Sequence, residues 1–426
     1  MRGKRKILLL LGDMAVLLAS FYLTMIIGYW GSFDAHNFAT HIFPFSLLYL
    51  AWLVILYIFN LYDYGSIKPT IGNIRNISVS LIVSAAIGFI FFYSFPIFGI
   101  SPKTNLVINI LVFGLLFIGW RRMFFSIFSK KFRKDVLILG RNDKSEDLAE
   151  EIQNNPHIGY NFVGFVEDIA DAQRIESVGT LIVAKDFHFD SKNIHHLMSS
   201  DTEIMNIVEA YEKIFLKVPI EFINESWFIK NIKNSKKNFY YSFKRFFDVF
   251  ITLIVLIVSS PLLILIAIGI KLEDGRAVLY KQKRVGLYNK LFYLYKFQTY
   301  IANAEKNGAE WSVENDPRIT RFGRFLRHTH LDELPQVLNV LRGDLSLVGP
   351  RPERPEFVEP LEKEIPYFDL RHVIKPGVTG WAQVKFKYAG TVLESYKKFE
   401  YDMFYAKNQN LFMDAGIIFR TIQKLF

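Results

Sequence analysis

The chain has 426 residues, a formal net charge of +10 and 51% hydrophobic residues, with 16% aromatic and 41 Phe. That is more apolar and aromatic material than one aqueous core needs, so a single soluble domain is excluded and several modules are expected, some in lipid and some facing anions. Cysteine is absent, which removes disulfides, thiolate metal sites and cysteine nucleophiles, and the basic excess beside long apolar runs suits anionic lipid or phosphorylated substrates rather than nucleic acid.

Four apolar stretches open the chain, Ile7 to Tyr29, Ile42 to Leu61, Ile77 to Phe98 and Leu106 to Ile127. Each is near the ~20 residues that cross a bilayer, so residues 1–130 are read as a bundle of four transmembrane helices. The first stretch follows Arg2, Lys4, Arg5 and Lys6 as a signal peptide would, but it is too long for that and leads into further spans, so it is an anchor. The loop Gly31 to His41 holds no Lys or Arg, the next holds Lys68 and Arg75, and the fourth span exits into Arg121, Arg122, Lys130, Lys131, Arg133 and Lys134. Both ends of the bundle are therefore expected on the cytoplasmic side. Asp13 lies inside the first span, about two turns from its cytoplasmic end, where a structural reading outweighs the functional one that an intramembrane acid invites.

Residues 131–236 change texture. VLIL ends at Leu139, a polar helix follows around Lys144 to Gln153, and NFVGFVE from Asn161, TLIVA from Thr180 and IMNIVEA from Ile204 read as further β-rich runs. The alternation predicts a parallel α/β sheet of Rossmann-like type. The first strand runs into Gly140, Arg141, Asn142 and Asp143 without G-x-G-x-x-G, so nucleotide binding is the minority reading and a regulatory or oligomerising role, with a homodimer expected, fits at least as well. The stretch Tyr211 to Ile229, around Pro219, reads as a linker that packs on its neighbours.

Residues 237–426 form the third module, mostly α-helical and membrane-associated. Val249 to Ile270 is long enough to cross a bilayer, about 33 Å as a straight helix. Lys244 and Arg245 precede it and Lys271, Arg276, Lys281, Lys283 and Arg284 follow, so a crossing would put a basic flank outside. Ser260 and Pro261 near its middle predict a helix over 244–272 that enters, breaks there and returns to the same side, with a kinked span as the alternative.

Downstream, Arg321, Arg324 and Arg327 recur beside Phe322, Phe325 and Leu326, predicting a helix with cationic and apolar faces at the membrane surface. The stripe runs into Asp332 and Glu333, expected at the start of an apolar helix ending near Leu341 with Pro335 in its first turn. The positive end of a helix dipole favours an ionised carboxylate and attracts phosphate. Adjacent acids at a helix start are often only caps, but caps need no convergence of arginines. The set suits phosphoryl transfer, with aspartate as a covalent nucleophile and Mg²⁺ as the fitting cation. His328 and His330 flank the pair without zinc spacing.

From about Tyr241 to its end the chain resembles the catalytic domain of bacterial sugar transferases, the monotopic polyprenyl-phosphate phosphoglycosyl transferases. The resemblance rests on KRFFD at Lys244 to Asp248, Ser260-Pro261, YKF at Tyr295 to Phe297, LDELPQ at Leu331 to Gln336, LVGPRP at Leu347 to Pro352 and KPGVTGWAQV at Lys375 to Val384. It implies Asp332 as nucleophile on the sugar-bearing phosphate, Glu333 as its acidic partner, Mg²⁺ at Asp332, and Lys296, Arg327 and Arg351 close to phosphate, with Arg321 added from the cationic stripe. The hairpin it implies involves Lys244, Arg245, Asp248, Ser260 and Pro261. The implied reaction moves a sugar 1-phosphate from a nucleotide sugar, a UDP-hexose by expectation, to undecaprenyl phosphate on the cytoplasmic face of a bacterial inner membrane. Gln298 stands where an arginine is usual, and Lys385, Phe386 and Lys387 stand where many members have Asn-Gly-Arg, which bears on donor choice. A non-catalytic scaffold would leave Asp332 and Glu333 unexplained, and transfer of the sugar without its phosphate would lack an Asp-x-Asp motif.

Overall fold

The computed structural model describes residues 2–30, 34–59, 61–62, 71–94, 103–130, 133–155, 158–167, 178–184, 202–232, 238–301, 316–386 and 391–425. Contacts divide the chain into two compact units, Met1–Ala210 and Tyr211–Phe426. Lys68, Lys131 and Lys387 lie outside the described residues. Five described helices are long and apolar enough to cross a membrane, four in the first unit and one in the second.

The first unit begins with helices α1 (Arg2–Gly28), α2 (Ala35–Ile58), α3 (Ile71–Ser94) and α4 (Lys103–Lys130). Lipid gives no hydrophobic drive for helices to associate, so packing and polar contacts must do so. Small residues let α1 approach α4: a Cβ on Gly12 would collide with the Trp120 indole. Aromatic rings fill the interior, Trp52 lying 5.2 Å from Phe113. Asn109 of α4 donates to Tyr49 Oη at 2.8 Å and Thr24 Oγ1 at 3.1 Å. Asp13 is fully buried and pairs with Arg121 Nη2 at 2.6 Å, while Arg121 also donates to the Leu61 carbonyl. Asp13 thus pins α1 to α4 instead of reaching interfacial water, and Arg121, counted from sequence among the exposed basic flank, is its buried counter-charge.

The same unit continues with β1 (Lys134–Leu139), α5 (Asp143–Asn154), β2 (Tyr160–Val166), β3 (Thr180–Val183) and β4 (Glu203–Asn206). The strands form one parallel sheet in the order β2-β1-β3-β4. IMNIVEA is strand only as far as Asn206. The Asn206 side chain accepts from Glu209 N at 2.8 Å, capping a new helix, α6 (Ile207–Phe215), so this run is not one β segment. After β1, Gly140 takes φ +89° and Asn142 and Ser145 close a reciprocal capping box on α5. Side chains therefore already occupy the Asn142 and Ser145 amides at the turn where a dinucleotide site would present its amides to phosphate.

In the second unit, the stretch read as a linker is built into the domain. Leu216 O accepts from Trp381 Nε1 at 2.9 Å, Val218 N donates to Glu400 O at 3.0 Å, and Lys217 and Glu212 pair with Glu400 and Lys407, each at 2.8 Å. After α7 (Glu225–Asn231) comes α8 (Asn238–Asp274), 37 residues that run through Ser260 and Pro261 without interruption. The expected break is absent as a gap in the helix for a local reason. Pro261 has no N–H to give the Ile257 carbonyl, and Ser260 Oγ donates to that carbonyl at 2.8 Å. Next come the antiparallel pair β5 (Leu279–Val285) and β6 (Leu291–Phe297), α9 (Arg321–His328), a 3₁₀ turn (Leu331–Gln336) and α10 (Val337–Arg342). β7 (Ser346–Val348) pairs in parallel with β8 (Gly377–Thr379), and α11 (Pro355–Glu364), α12 (Trp381–Lys385), α13 (Val392–Asn408) and α14 (Leu411–Leu425) complete the unit.

Arg121→Met strands Asp13 as a buried charge and is expected to cost about 3–5 kcal/mol, lowering the unfolding temperature in detergent. Adding Asp13→Asn should recover much of that loss. Identical melting of Arg121→Met and wild type would show that the pair does not hold the bundle.

Candidate active site

The site grows from β6. Asn339, at the heart of α10, donates Nδ2–H to Tyr293 O at 2.7 Å and accepts from Tyr295 N at 3.0 Å. This buried amide satisfies the strand's unpaired edge and fixes the 3₁₀ turn beside it. Leu294, Val340 and Leu345 close the apolar layer beneath. Lys296, two residues on from Leu294, points into the same face of the strand and reaches Glu333 Oε1 with Nζ at 2.7 Å.

Asp332 and Glu333 sit in the 3₁₀ turn and not in the first turn of the apolar helix, which starts only at Val337 with Pro335 already behind it. The turn begins after His330, held at φ +55°, whose carbonyl accepts from Glu333 N at 3.2 Å. In a 3₁₀ turn neighbouring side chains diverge by roughly 120°, and the two carboxylates meet different surroundings. Glu333 receives Arg351 Nη2 at 2.6 Å besides Lys296. Burial pushes its carboxyl up, but the Arg351 and Lys296 charges outweigh this and hold it well below the usual carboxylate range. Asp332 is only 7% exposed, and among the described residues its carboxylate has no hydrogen bond or ion pair. Its pKa is raised, by burial first; Lys296 opposes that, Glu333 adds to it, and Arg327 and Arg351 oppose it. The expected place at a helix start is corrected: Asp332 lies in a six-residue 3₁₀ turn, which lends little dipole, and burial acts against the lowering that a dipole would give.

Arg351 is carried by a loop that only glycine permits. A Cβ on Gly349 would stand 2.3 Å from Lys375 O, and one on Gly380 would stand 2.2 Å from Gly349 O. Backbone bonds seal the approach, Gly349 N to Thr379 O at 2.8 Å and Gly377 N to Pro350 O at 2.9 Å. Around it lies a charge cluster that the sequence reading missed. Arg284 donates to Pro352 O at 3.0 Å and Arg371 to Arg351 O at 3.1 Å. Glu353 accepts from Lys398 at 2.6 Å with Arg284 at 3.7 Å and Arg371 at 3.9 Å, and Asp402 takes Arg371 at 2.9 Å. Lys398, Arg371 and Arg284 hold the Glu353 carboxyl well below its ordinary range although burial works the other way. Glu353 follows PRP directly, a visible signal, but its partners come from three distant segments.

Arg327 closes the other side, with Nε donating to Thr299 Oγ1 at 3.0 Å. Arg321 and Arg324 are exposed on α9 and are not gathered at Asp332, whereas Phe322 packs on Gly269 of α8. Lys244, Arg245 and Asp248 anchor α8: Lys244 pairs with Asp414 at 2.8 Å, Arg245 donates to Val340 O at 2.6 Å and Leu341 O at 2.8 Å, and Asp248 accepts from Ser346 Oγ at 2.7 Å. Gln298 bonds Tyr300 O at 3.1 Å, and Lys385 lies over the Trp381 ring at 4.9 Å. Among the described residues no three His, Asp or Glu side chains gather as a metal site.

A buried aspartate, unpaired among the described residues and acted on by the charges of Lys296, Arg327 and Arg351, on a body that carries a long apolar helix, has the electrostatics that phosphoryl transfer beside a membrane requires. Residues 239–426 match the family model for bacterial sugar transferases. A UDP-N-acetylgalactosamine-undecaprenyl-phosphate N-acetylgalactosaminephosphotransferase of Aeromonas hydrophila is 42% identical over 182 residues, 43% of each chain. A UDP-glucose:undecaprenyl-phosphate glucose-1-phosphate transferase of Xanthomonas campestris pv. campestris is 39% identical over 315 residues, 67% of this chain and 65% of that one. The uncharacterized sugar transferase EpsL of Bacillus subtilis is 40% identical over 184 residues, 43% of this chain and 86% of its own length. The chain belongs to the bacterial sugar transferase family, and its type is that of the polyprenyl-phosphate phosphoglycosyl transferases.

The two acids should affect stability with opposite signs. The folded pKa of Asp332 is raised, so its ionised form costs stability once pH exceeds its unfolded value, and Asp332→Asn is expected to leave the unfolding temperature at pH 7 unchanged or higher. The folded pKa of Glu333 is depressed, so it contributes stability above its unfolded value that is lost as pH falls through the folded one. Glu333→Gln should cost about 1–3 kcal/mol at pH 7. Melting curves of the two variants showing the reverse order would contradict this electrostatic assignment.

Proposed function

We propose that the chain transfers a sugar 1-phosphate from a UDP-sugar to undecaprenyl phosphate and releases nucleoside monophosphate, as the first membrane step of exopolysaccharide, O-antigen or capsule synthesis. Asp332 carries this reading, a carboxylate unpaired among the described residues beside a Glu333 whose charge is taken up by Lys296 and Arg351. The relatives' names, with UDP-glucose or UDP-N-acetylgalactosamine as donor and undecaprenyl phosphate as acceptor, support the substrate classes.

In the first step an Asp332 oxygen attacks the sugar-bearing phosphorus. The bond from that phosphorus to the bridging oxygen breaks, and its electron pair leaves with nucleoside monophosphate. In the second, a phosphate oxygen of the polyprenyl carrier attacks the same phosphorus and Asp332 departs as carboxylate. Lys296, Arg327 and Arg351 would balance the negative charge that spreads over the phosphoryl oxygens in both steps. Asp332 is also the carboxylate that would hold Mg²⁺. The donor set fits, since this cation is satisfied by one or two carboxylates and takes its remaining ligands from phosphate and water. When bound it would neutralise phosphate oxygens.

The acceptor would arrive along α8, which we read as a re-entrant helix. Arg245 near its start docks on α10, and Ile266 and Ile270 near its end pack with Phe297 and Leu326 of the same body, while Ile257 and Val258 between them are 70% and 75% exposed. A straight helix would hold Arg245 and Ile270 about 37 Å apart, so two docked ends and a bare apolar middle support a bend at Ser260-Pro261. The basic flanks support a bacterial inner membrane with the catalytic domain on the cytoplasmic side. The Rossmann-like domain is read as a module for regulation or homodimer assembly.

Donor labelled in its sugar, supplied without lipid acceptor, should leave label on denatured wild-type protein and none on Asp332→Asn, whose turnover should fall on the order of 10⁴-fold or more. Wild-type turnover by Asp332→Asn would remove the covalent step. For the helix, a cysteine at exposed Lys290 should react with an impermeant thiol reagent only after the cells are opened. Labelling in intact cells would make α8 a fifth span.

A further inference from the structure

The β5–β6 hairpin has two faces, and only one of them belongs to the active site. Phe292, Leu294 and Lys296 alternate along the inner face of β6. The outer face carries Lys281 opposite Tyr295, Lys283 opposite Tyr293, and Leu291. Arg342, at the end of α10, joins it: its Cζ stands 4.9 Å from the centroid of the Tyr295 ring and its Nη1 donates to the Tyr295 hydroxyl. Lys281, Lys283, Leu291, Tyr293 and Arg342 are exposed. Residues 279–297 contain no Asp or Glu. Among the described residues Lys281 and Lys283 have no hydrogen bond or ion pair, and Lys281 Nζ lies 5.7 Å from the Tyr295 centroid. Asp344, beyond α10, is turned to Asn339 Nδ2 at 3.3 Å. The face is therefore cationic and aromatic together.

The hairpin also reaches both ends of α8. At its open end Phe297 packs with Ile266 and Ile270. At its tip Tyr288 comes close enough to Tyr241, near the start of α8, for the charge of its phenolate to act there. Each strand has 7 residues, a reach of about 23 Å. With α8 re-entrant, its two ends lie at one membrane surface, and a hairpin that joins them runs along that surface. Arg245 caps the Val340 and Leu341 carbonyls just before Arg342, so the cationic face continues to the place where α8 enters. Tyr288 and Asn289 are held at φ +52° and +61°, uncommon for an aromatic residue, yet Tyr288 is 68% exposed and burial does not hold it there. Tyrosines at headgroup level beside lysines and arginines are the chemistry of an anionic membrane surface. We propose that the outer face of the hairpin docks on anionic phospholipid, with Tyr288, Leu291 and Tyr293 seated among the headgroups and Lys281, Lys283 and Arg342 against their charge. Docking then holds β6, and Lys296 on its inner face, at a fixed height over the membrane. The inference rests on the re-entrant reading of α8 and adds a second lipid contact to it.

The test uses the full-length chain, in which the absence of cysteine lets one engineered thiol carry a fluorophore, at Tyr288→Cys or, if that variant does not fold, at Leu291→Cys. The protein is placed in phosphatidylcholine vesicles with and without phosphatidylglycerol, both holding phosphatidylcholine spin-labelled on its headgroup. Quenching should be stronger with phosphatidylglycerol, and the gain should vanish at high salt. Each lysine at an anionic surface shifts docking roughly fivefold, so Lys281→Glu combined with Lys283→Glu should remove the gain as well. A fluorophore at Lys363→Cys, an exposed position on α11, should show no gain. An impermeant thiol reagent that reached the hairpin cysteine in intact cells would sink the re-entrant reading itself. With the cysteine confined to the inner side, equal quenching in the two vesicles, a gain that survives the charge reversal, or the same gain at Lys363→Cys would each overturn the docking alone. Crosslinking of Leu291→Cys between copies without lipid quenching would overturn it too, and would give this face to a second chain.

Discussion

Everything in the catalytic unit depends on one unequal sharing of charge. Two carboxylates next to each other in the chain cannot both be left bare in a partly buried place, because each raises the cost of ionising the other. Glu333 escapes that cost by bonding Lys296 and Arg351, while Asp332 feels the charge of both without bonding either. What remains is a carboxylate without a hydrogen bond or ion pair among the described residues, beside Lys296 and Arg351, which share a single carboxylate, Glu333. That arrangement is poor for stability and well suited to a phosphoryl group, which brings the missing negative charge and the missing ligands together.

Holding such a site open requires rigid support on each side. Asn339 locks α10, which continues from the 3₁₀ turn, to β6 through two bonds between its side chain and the strand's backbone, and the close approach of Gly349, Gly377 and Gly380 lets the loop carrying Arg351 lie directly on the β7–β8 pair. The cluster of Glu353, Arg284, Arg371, Lys398 and Asp402 then bonds the backbone of that loop at Arg351 and Pro352. These charges never need to touch substrate. Their effect is to leave Arg351 one place to stand.

The apolar helix α8 is tied to the same support. Arg245 caps the last carbonyls of α10, the element whose Asn339 clamps β6, so a cation that looks in sequence like a membrane-flanking charge is also a structural strut of the active site. In the first unit Arg121 is likewise a flank charge in the sequence and a buried partner of Asp13 in the fold. In both cases charge counting along the chain assigns a residue to water that the tertiary structure spends on an internal bond.

The sequence by itself determined the features that depend on local chemistry. Apolar runs of bilayer length, the parallel α/β alternation after Val136, and the LDELPQ and GPRP motifs are all legible because hydrophobic periodicity and glycine or proline placement act over a few residues. The acidic pair was legible as a motif, and Lys296, Arg327 and Arg351 were expected near phosphate from the resemblance alone; the structure brings Lys296 and Arg351 onto Glu333. The division of labour within the pair was not, since the pairing of Glu333 and the bare state of Asp332 follow from residues 296 and 351, brought in by other elements. The end of the strand at Asn206, the helix through Pro261 and the incorporation of Tyr211 to Ile229 into the second unit were also decided in three dimensions. Each depends on a hydrogen bond whose partner, whether 3 residues away or 165, had to be placed by the backbone before it could be counted.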